Sequence, residues 1–172
     1  MIATQPNLSF EFVGNNKFLL QEINSLVKNI YIDYYSKFYS PVCVKKIYDT
    51  YQSPDAIEKA ILQGDKYYIV KSNETNIGYI AVNINEKKKK VFLSKFYLDS
   101  KVRGQGIGKK IMDIIKNTSK KMSLKNLELY VYKNNPSVNI YEKMGFKVLK
   151  NFSKYLGKAT REDYYLMGTK LD

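Results

Sequence analysis

Residues 91–122 read VFLSKFYLDSKVRGQGIGKKIMDIIKNTSKKM, and the order of features within them decides the fold. Val91, Phe92, Leu93, Phe96, Tyr97 and Leu98 form an apolar and aromatic run of strand length. Asp99 to Val102 is a short connection into Arg103-Gly104-Gln105-Gly106-Ile107-Gly108. Ile107, Ile111, Met112, Ile115 and Met122 then recur at helical spacing with lysines between them. Strand, glycine loop and helix together aim backbone N–H groups and the positive end of a helix dipole at a phosphate. Glycine suits the loop because a side chain would block close approach and because glycine admits positive φ where such a loop requires it. The stretch reads as a pyrophosphate cradle.

Three phosphate loops have to be told apart. A P-loop would have glycine at 103 and Ser or Thr after the lysine, where Arg103 and Lys110 stand. A Rossmann loop would have glycine at 109, which is Lys109, and would open a series of βαβ units. The pattern that fits is Arg-x-x-Gly-x-Gly, Arg103 to Gly108, which resembles the acetyl-coenzyme A loop of the GNAT family of N-acetyltransferases. A second segment keeps register with it. Asn134-x-x-Ser137-x-x-x-Tyr141-Glu142-Lys143-Met144-Gly145-Phe146 is similar to the family pattern N-x-x-A-x-x-x-Y-x-k-x-G-F. The plain alternative for that segment is a helix stopped by Gly145, with Phe146 entering the core.

Composition narrows the rest. The length of 172 residues suits one domain, 1–172, with a sizeable core. No apolar run is long enough to span a bilayer, and MIATQPNLSF lacks the pattern of a signal peptide, so a soluble cytoplasmic protein is expected. With no histidine and the single Cys43, histidine-based triads, disulfides and the usual zinc sites drop out, and no metal is expected. The net charge of +13 attracts polyanions, whether nucleic acid, acidic membrane or coenzyme A with its phosphates. The lysines are spread along the chain, so no membrane partner is expected and nucleic acid is a secondary reading.

Taken in order, Leu8, Phe10 and Phe12 alternate as a first strand ended by Gly14. Apolar residues from Phe18 to Tyr34 predict one helix from Asn16 to about Tyr35. Ser40-Pro41 and Ser53-Pro54 are two helix starts, the second helix stopping at Gly64. Lys66 to Lys71 and Ile77 to Asn83 are strands joined by Ser72 to Asn76, and lysines 87–90 turn the chain into the central strand. Leu127 to Tyr132 is a further strand, Pro136 to Met144 a helix capped by Gly145, and Phe146 to Leu156 with Asp163 to Leu171 a closing hairpin around Gly157 to Arg161. The fold expected is α+β: a mixed, mostly antiparallel central sheet splayed at the fourth strand and flanked by helices.

The resemblance implies acetyl-CoA as cofactor. Its pantetheine arm would pair with the backbone of Phe96, Tyr97 and Leu98, and its pyrophosphate would rest on the amides of Gly104, Gln105, Gly106, Ile107, Gly108 and Lys109, with Arg103 adding charge. An N–H near Phe96 or Tyr97 would stabilise the oxyanion. A neutral amine would attack the thioester directly in a ternary complex, with no acyl-enzyme. Tyr141, whose phenol ordinarily titrates near that of a departing thiol, would protonate the leaving group, and Asn134 would hold the pantetheine or a water. The general base stays unassigned. Phe92, Leu93, Ser94 and Lys95 stand where many members carry a glutamate, leaving Glu128, Asp33 or a water relay.

In this family the first helices and the last hairpin shape the acceptor pocket. Here they supply Tyr31, Asp33, Tyr34, Tyr35, Phe38, Tyr39, Tyr48, Tyr155, Tyr164 and Tyr165, and aromatics with an occasional carboxylate suit an amine. Tyr31, Asp33 and Tyr34 are the substrate candidates. The layout is loosely similar to bacterial spermidine/spermine acetyltransferases of the PaiA type, although a basic protein repels a polycation unless its pocket is locally acidic. Two other classes stay open: a basic RNA- or ribosome-associated protein or protein N-acetyltransferase, and a catalytically silent acetyl-CoA sensor. Family members are often dimers, which leaves a homodimer open.

Overall fold

The computed structural model describes residues 7–37, 39–156 and 160–171. The expectations placed on Phe38, on the first residues of the chain and on Gly157 to Ala159 of the closing turn lie outside them.

Local chemistry sets most boundaries. Strand β1 (Leu8–Phe12) leads to α1 (Lys17–Leu26), which the Asn16 side chain caps by accepting from the N–H groups of Phe18 and Leu19 at 3.0 and 3.3 Å. Helices α3 (Pro41–Tyr51) and α4 (Pro54–Leu62) open as expected, with Ser40 and Ser53 accepting from Cys43 and Ala56 and with proline in the first turn. The single long helix expected over 16–35 is instead interrupted. Val27–Ile32 winds as a wider π-helix before the one-turn α2 (Asp33–Tyr35). A π segment holds an extra residue per turn, which leaves the apolar periodicity of the flanking turns readable as one α-helix.

Strands β2 (Asp65–Ser72) and β3 (Thr75–Asn85) close on a two-residue turn, Asn73 and Glu74 with φ of 48° and 64°, tighter than the five residues expected. Strand β4 (Lys90–Leu98) begins within the lysine run, and a 3₁₀ turn (Ser100–Val102) joins it to the glycine loop. Then follow α5 (Ile107–Lys121), β5 (Asn126–Tyr132), α6 (Ser137–Lys143), β6 (Lys147–Leu156) and β7 (Thr160–Lys170). Arg161, expected in the turn, is already in β7 opposite Tyr155. Met122, expected on the apolar face of α5, lies past its end and is exposed. Hydrogen bonding orders the strands β1-β2-β3-β4-β5-β7-β6 in a seven-stranded mixed sheet, so the fold is α+β.

The chain forms two compact units. In the first, Met1–Ala81 with Lys95–Gln105, β1 pairs antiparallel with β2 from Leu8↔Ser72 to Phe12↔Tyr68. Ile23, Val27, Tyr31, Ile57, Tyr67, Ile69 and Tyr79 are its deeply buried side chains. Gly78 fixes one close approach. A Cβ there would stand 2.2 Å from the Tyr97 carbonyl oxygen and 3.1 Å from the Leu98 Cα, so β3 can press against the end of β4 only without a side chain.

The second unit is Val82–Ser94 with Gly106–Asp172. Here β4 runs parallel to β5 from Lys90↔Asn126 to Leu93↔Leu129, while β5–β7 and β7–β6 are antiparallel, the latter with a bulge between Val148 and Lys150. Strand alternation splits the sheet faces. Val91, Leu93, Leu127, Leu129, Val131 and Met167 are buried, as are Ile107, Ile111, Met112 and Ile115 of α5. The opposite face carries Phe92, Tyr130, Phe152 and Tyr164 in ring contact, and a half-buried pair in which Lys90 Nζ meets both carboxylate oxygens of Glu128 at 2.7 and 2.8 Å.

Candidate active site

The glycine loop is built to receive an anion. Gly104 and Gly106 both adopt φ of +74°, and a Cβ on either would point into open space, with no atom within 4 Å. An L residue at either position would be strained and would put a side chain beside the exposed loop N–H groups. Gly106 starts α5 but has no side chain to cap it, and the first helical turn carries no acidic residue. Helices α1, α3 and α4 each receive a side-chain cap; α5 presents its first N–H groups, from Ile107, Gly108 and Lys109, uncapped. Uncapped N–H groups with no carboxylate beside them are the chemistry that could hold a pyrophosphate.

Three side chains of the motif turn out to serve the loop itself. Arg103 donates from Nε and Nη2 to the Leu98 carbonyl at 3.2 and 3.0 Å and stacks over the Tyr34 ring at 5.0 Å. It clamps the end of β4 to the start of the loop, a positioning role beside the charge expected of it. Gln105 donates to the Lys101 carbonyl at 2.8 Å, and Lys109 pairs with Asp113 at 2.8 Å one helical turn on. For Gln105 and Lys109, backbone N–H groups are what the loop can offer a ligand.

On β4, the Tyr97 ring lies between Tyr31, at 5.4 Å edge-on, and Tyr79, at 5.1 Å stacked. Tyr31 in turn meets Tyr35 at 4.4 Å, and Tyr35 meets both Tyr34 and Tyr39. Tyr79 donates to the buried Gln52 at 3.2 Å. A row of tyrosines thus runs from α2 to the strand expected to hold the cofactor arm. The substrate candidates occupy different depths in it: Tyr31 is only 3% exposed, Tyr34 is half-buried beneath Arg103, and Asp33 is solvent-exposed and paired with Lys37 at 3.0 Å.

In the second unit, Tyr141 on α6 is half-buried with its ring against Phe146 at 5.7 Å, and its carbonyl accepts from the N–H of Phe146. Asn134 is exposed and donates to the Tyr132 hydroxyl at 3.3 Å; its neighbour Asn135 starts α6 by accepting from the Ser137 N–H at 2.8 Å. Lys116 was not singled out from the sequence. It donates to the Met144 carbonyl and covers the Phe146 ring at 5.3 Å, tying α5 to the end of α6, and burial pulls its ammonium below the ordinary lysine range. Neither carboxylate weighed as a base is unengaged, since Asp33 holds Lys37 and Glu128 holds Lys90. Among the described residues no group of His, Cys, Asp and Glu is placed to hold a metal ion, and no helix is long and apolar enough to cross a membrane.

An uncapped helix behind a two-glycine loop, following a strand whose parallel pairing ends at Leu93 although the strand runs on to Leu98, is the arrangement that the resemblance to acyl-coenzyme A-dependent transferases leads one to expect. Comparison with known proteins gives the family. The model of the acetyltransferase (GNAT) domain matches residues 35–155, and the chain belongs to that family. It is an N-acetyltransferase that uses acetyl-CoA. Solved structures with the same fold include the PaiA N-acetyltransferase of Thermoplasma acidophilum in complex with coenzyme A, at 20% identity and TM-score 0.72, covering 94% of this chain and 99% of that one. The spermidine N-acetyltransferase of Vibrio cholerae, in complex with CoA and spermine, matches at 19% identity and TM-score 0.68, with 95% of each chain covered. The ribosomal-protein-S18-alanine N-acetyltransferase of Escherichia coli matches at 14% identity and TM-score 0.71, covering 97% and 94%.

Proposed function

We propose that this chain, as one catalytic domain over 1–172, transfers the acetyl group of acetyl-CoA to a primary amine of a small molecule by direct attack in a ternary complex. The observation that carries the acceptor class is the tyrosine row from Tyr39 and Tyr35 through Tyr31 to Tyr97, because ring faces attract ammonium groups and the row ends on β4. A polyamine is the first acceptor to test, since the fold is shared with enzymes described as acting on spermidine.

Acetyl-CoA supplies an activated thioester. The N–H groups of residues 104–109 hold its pyrophosphate, and the main chain of Phe96 and Tyr97 holds its arm, with Leu98 restricted because its carbonyl already accepts from Arg103. An N–H of β4 at Phe96 or Tyr97 faces the developing negative charge. Tyr141 donates a proton to the departing sulfur, and Asn134 steadies the arm. Asp33 and Tyr34 border the acceptor, with Tyr31 backing Tyr97. With Asp33 and Glu128 both paired, the amine loses its proton to water.

Thiol release from acetyl-CoA over spermidine, spermine, lysine peptides and aminoglycosides tests the reading. Turnover on a small amine is expected, abolished in Gly106→Val and slowed about 10- to 100-fold in Tyr141→Phe. Turnover confined to peptides would overturn the small-amine acceptor. Tight cofactor binding without turnover on any amine would make the chain a sensor.

A further inference from the structure

Lys154 sits in an unusual place for a surface lysine. It projects from β6 opposite Glu162 of β7, and its Nζ lies 5.1 Å from the Tyr130 ring centre, 5.7 Å from Phe152 and 5.5 Å from Tyr164. Lysines on apolar surfaces usually bury the stem and leave the ammonium in water. Here the ammonium itself is over three rings, and burial lowers its proton affinity while the nearby Glu162 partly restores it. Glu162 is only 4% exposed; one carboxylate oxygen accepts from the Tyr164 hydroxyl, and the other, Oε1, is buried without a hydrogen-bond partner. A buried acceptor left without a donor is unfavourable unless something else uses it.

We propose that Tyr130, Phe152, Tyr164 and Glu162 form a binding site for a primary alkylammonium group, and that Lys154 occupies it as a tethered stand-in. Three aromatic faces around a cation are the recognition chemistry for an ammonium ion, and a carboxylate at the base selects one that still carries N–H donors. Lys154, held by its stem, reaches the rings and leaves Oε1 without a donor; an ammonium free to settle satisfies both. Tyr130 is 49% exposed, so the site opens to solvent. Its other side leads toward the acetyl-transfer residues: the Tyr164 ring is 5.8 Å from Tyr132, whose hydroxyl accepts from Asn134. An amine entering must displace Lys154, so the apparent affinity is set partly by how often that side chain swings out.

The test is calorimetric titration of the full chain, without acetyl-CoA, using n-butylammonium and spermidine as probes. Lys154→Met should bind both at least about tenfold more tightly than the unaltered chain, and the double variant Lys154→Met/Glu162→Gln should lose that gain. Equal affinity of Lys154→Met and the unaltered chain would overturn the site. A measurement on the unaltered chain guards against misfolded variants. The ε-methylene resonance of Lys154, shifted by the three rings, should move toward its solvent-exposed position as butylammonium is added, and a resonance unmoved at saturation would also overturn it. Neither readout involves acetyl transfer. Amines that turn over but bind Lys154→Met no better defeat the site alone; amines that bind without being acetylated defeat the acceptor reading alone.

Discussion

Tyr67 buries its whole ring, yet its phenol oxygen has no hydrogen-bond partner. Replacing it by phenylalanine removes a desolvated polar group and leaves the packing intact, so Tyr67→Phe should raise stability by about 1 kcal/mol, read as a higher urea midpoint. The same phenol governs alkaline behaviour. Burial, then the Asp65 carboxylate, pushes Tyr67 above the ordinary tyrosine range, and burial with neighbouring tyrosines does the same for Tyr79. The folded state therefore keeps protons that the unfolded chain releases above about pH 10, and each such tyrosine makes stability fall by up to about 1.4 kcal/mol per further pH unit. Below pH 10 that contribution is fully present. Urea midpoints measured between about pH 9 and 11 should fall less steeply in Tyr67→Phe than in the unaltered chain, and parallel slopes would show that Tyr67 ionises normally.

At the scale of elements, ion pairs divide by burial. Lys90 meets a Glu128 carboxylate whose side chain is 11% exposed, whereas Lys37 and Asp33 are 60% and 58% exposed. Lys90→Met should cost about 2–3 kcal/mol by stranding a buried charge at the β4–β5 junction, and Lys37→Met less than about 0.5 kcal/mol, both by denaturant titration. Gly78→Ala addresses the β3–β4 junction. With 2.2 Å between the new methyl and the Tyr97 carbonyl, β4 has to shift, and the KM for acetyl-CoA should rise well before kcat falls. The sequence shows which elements exist because their signals are local: Ser40-Pro41, Ser53-Pro54, the alternation of Leu8 to Phe12, and Gly145 after α6. The two cradle glycines are legible for the same reason. Arg103 as a clamp, Lys116 as the tie between α5 and α6, and Glu162 beneath Lys154 are not, since each role is defined by a partner distant in sequence or by burial. Gly78 left a trace, a glycine inside a strand of large residues, but which backbone it admits is visible only in the folded chain.

At the scale of the whole molecule, 29 basic and 16 acidic side chains give a net charge of +13 that acts oppositely on the two ligands of the reaction. The anionic cofactor is attracted and a cationic acceptor repelled, and salt screens both effects. Raising KCl from about 0.05 to 0.5 M should therefore raise the KM for acetyl-CoA and lower the KM for the amine. If both rise together, the acceptor is drawn in by local negative charge strong enough to overcome the global field, with Asp33 and Glu162 the carboxylates to substitute first.

The π-helical turn at Val27–Ile32 gives the first unit a tolerance that substitutions do not probe. Such a turn is an α-helix carrying one surplus residue. Deleting a single residue there, such as the exposed Asn29, would let the segment relax into an ordinary helix at little thermodynamic loss. Every side chain beyond it would keep nearly its present facing, because the wider turn already absorbs the surplus residue. Tyr34 would stay under Arg103 and Tyr35 beside Tyr39, whereas the same deletion inside α1 would turn both by about 100°. A one-codon change at this turn is thus absorbed locally, and chain length can vary there with the tyrosine row left in place.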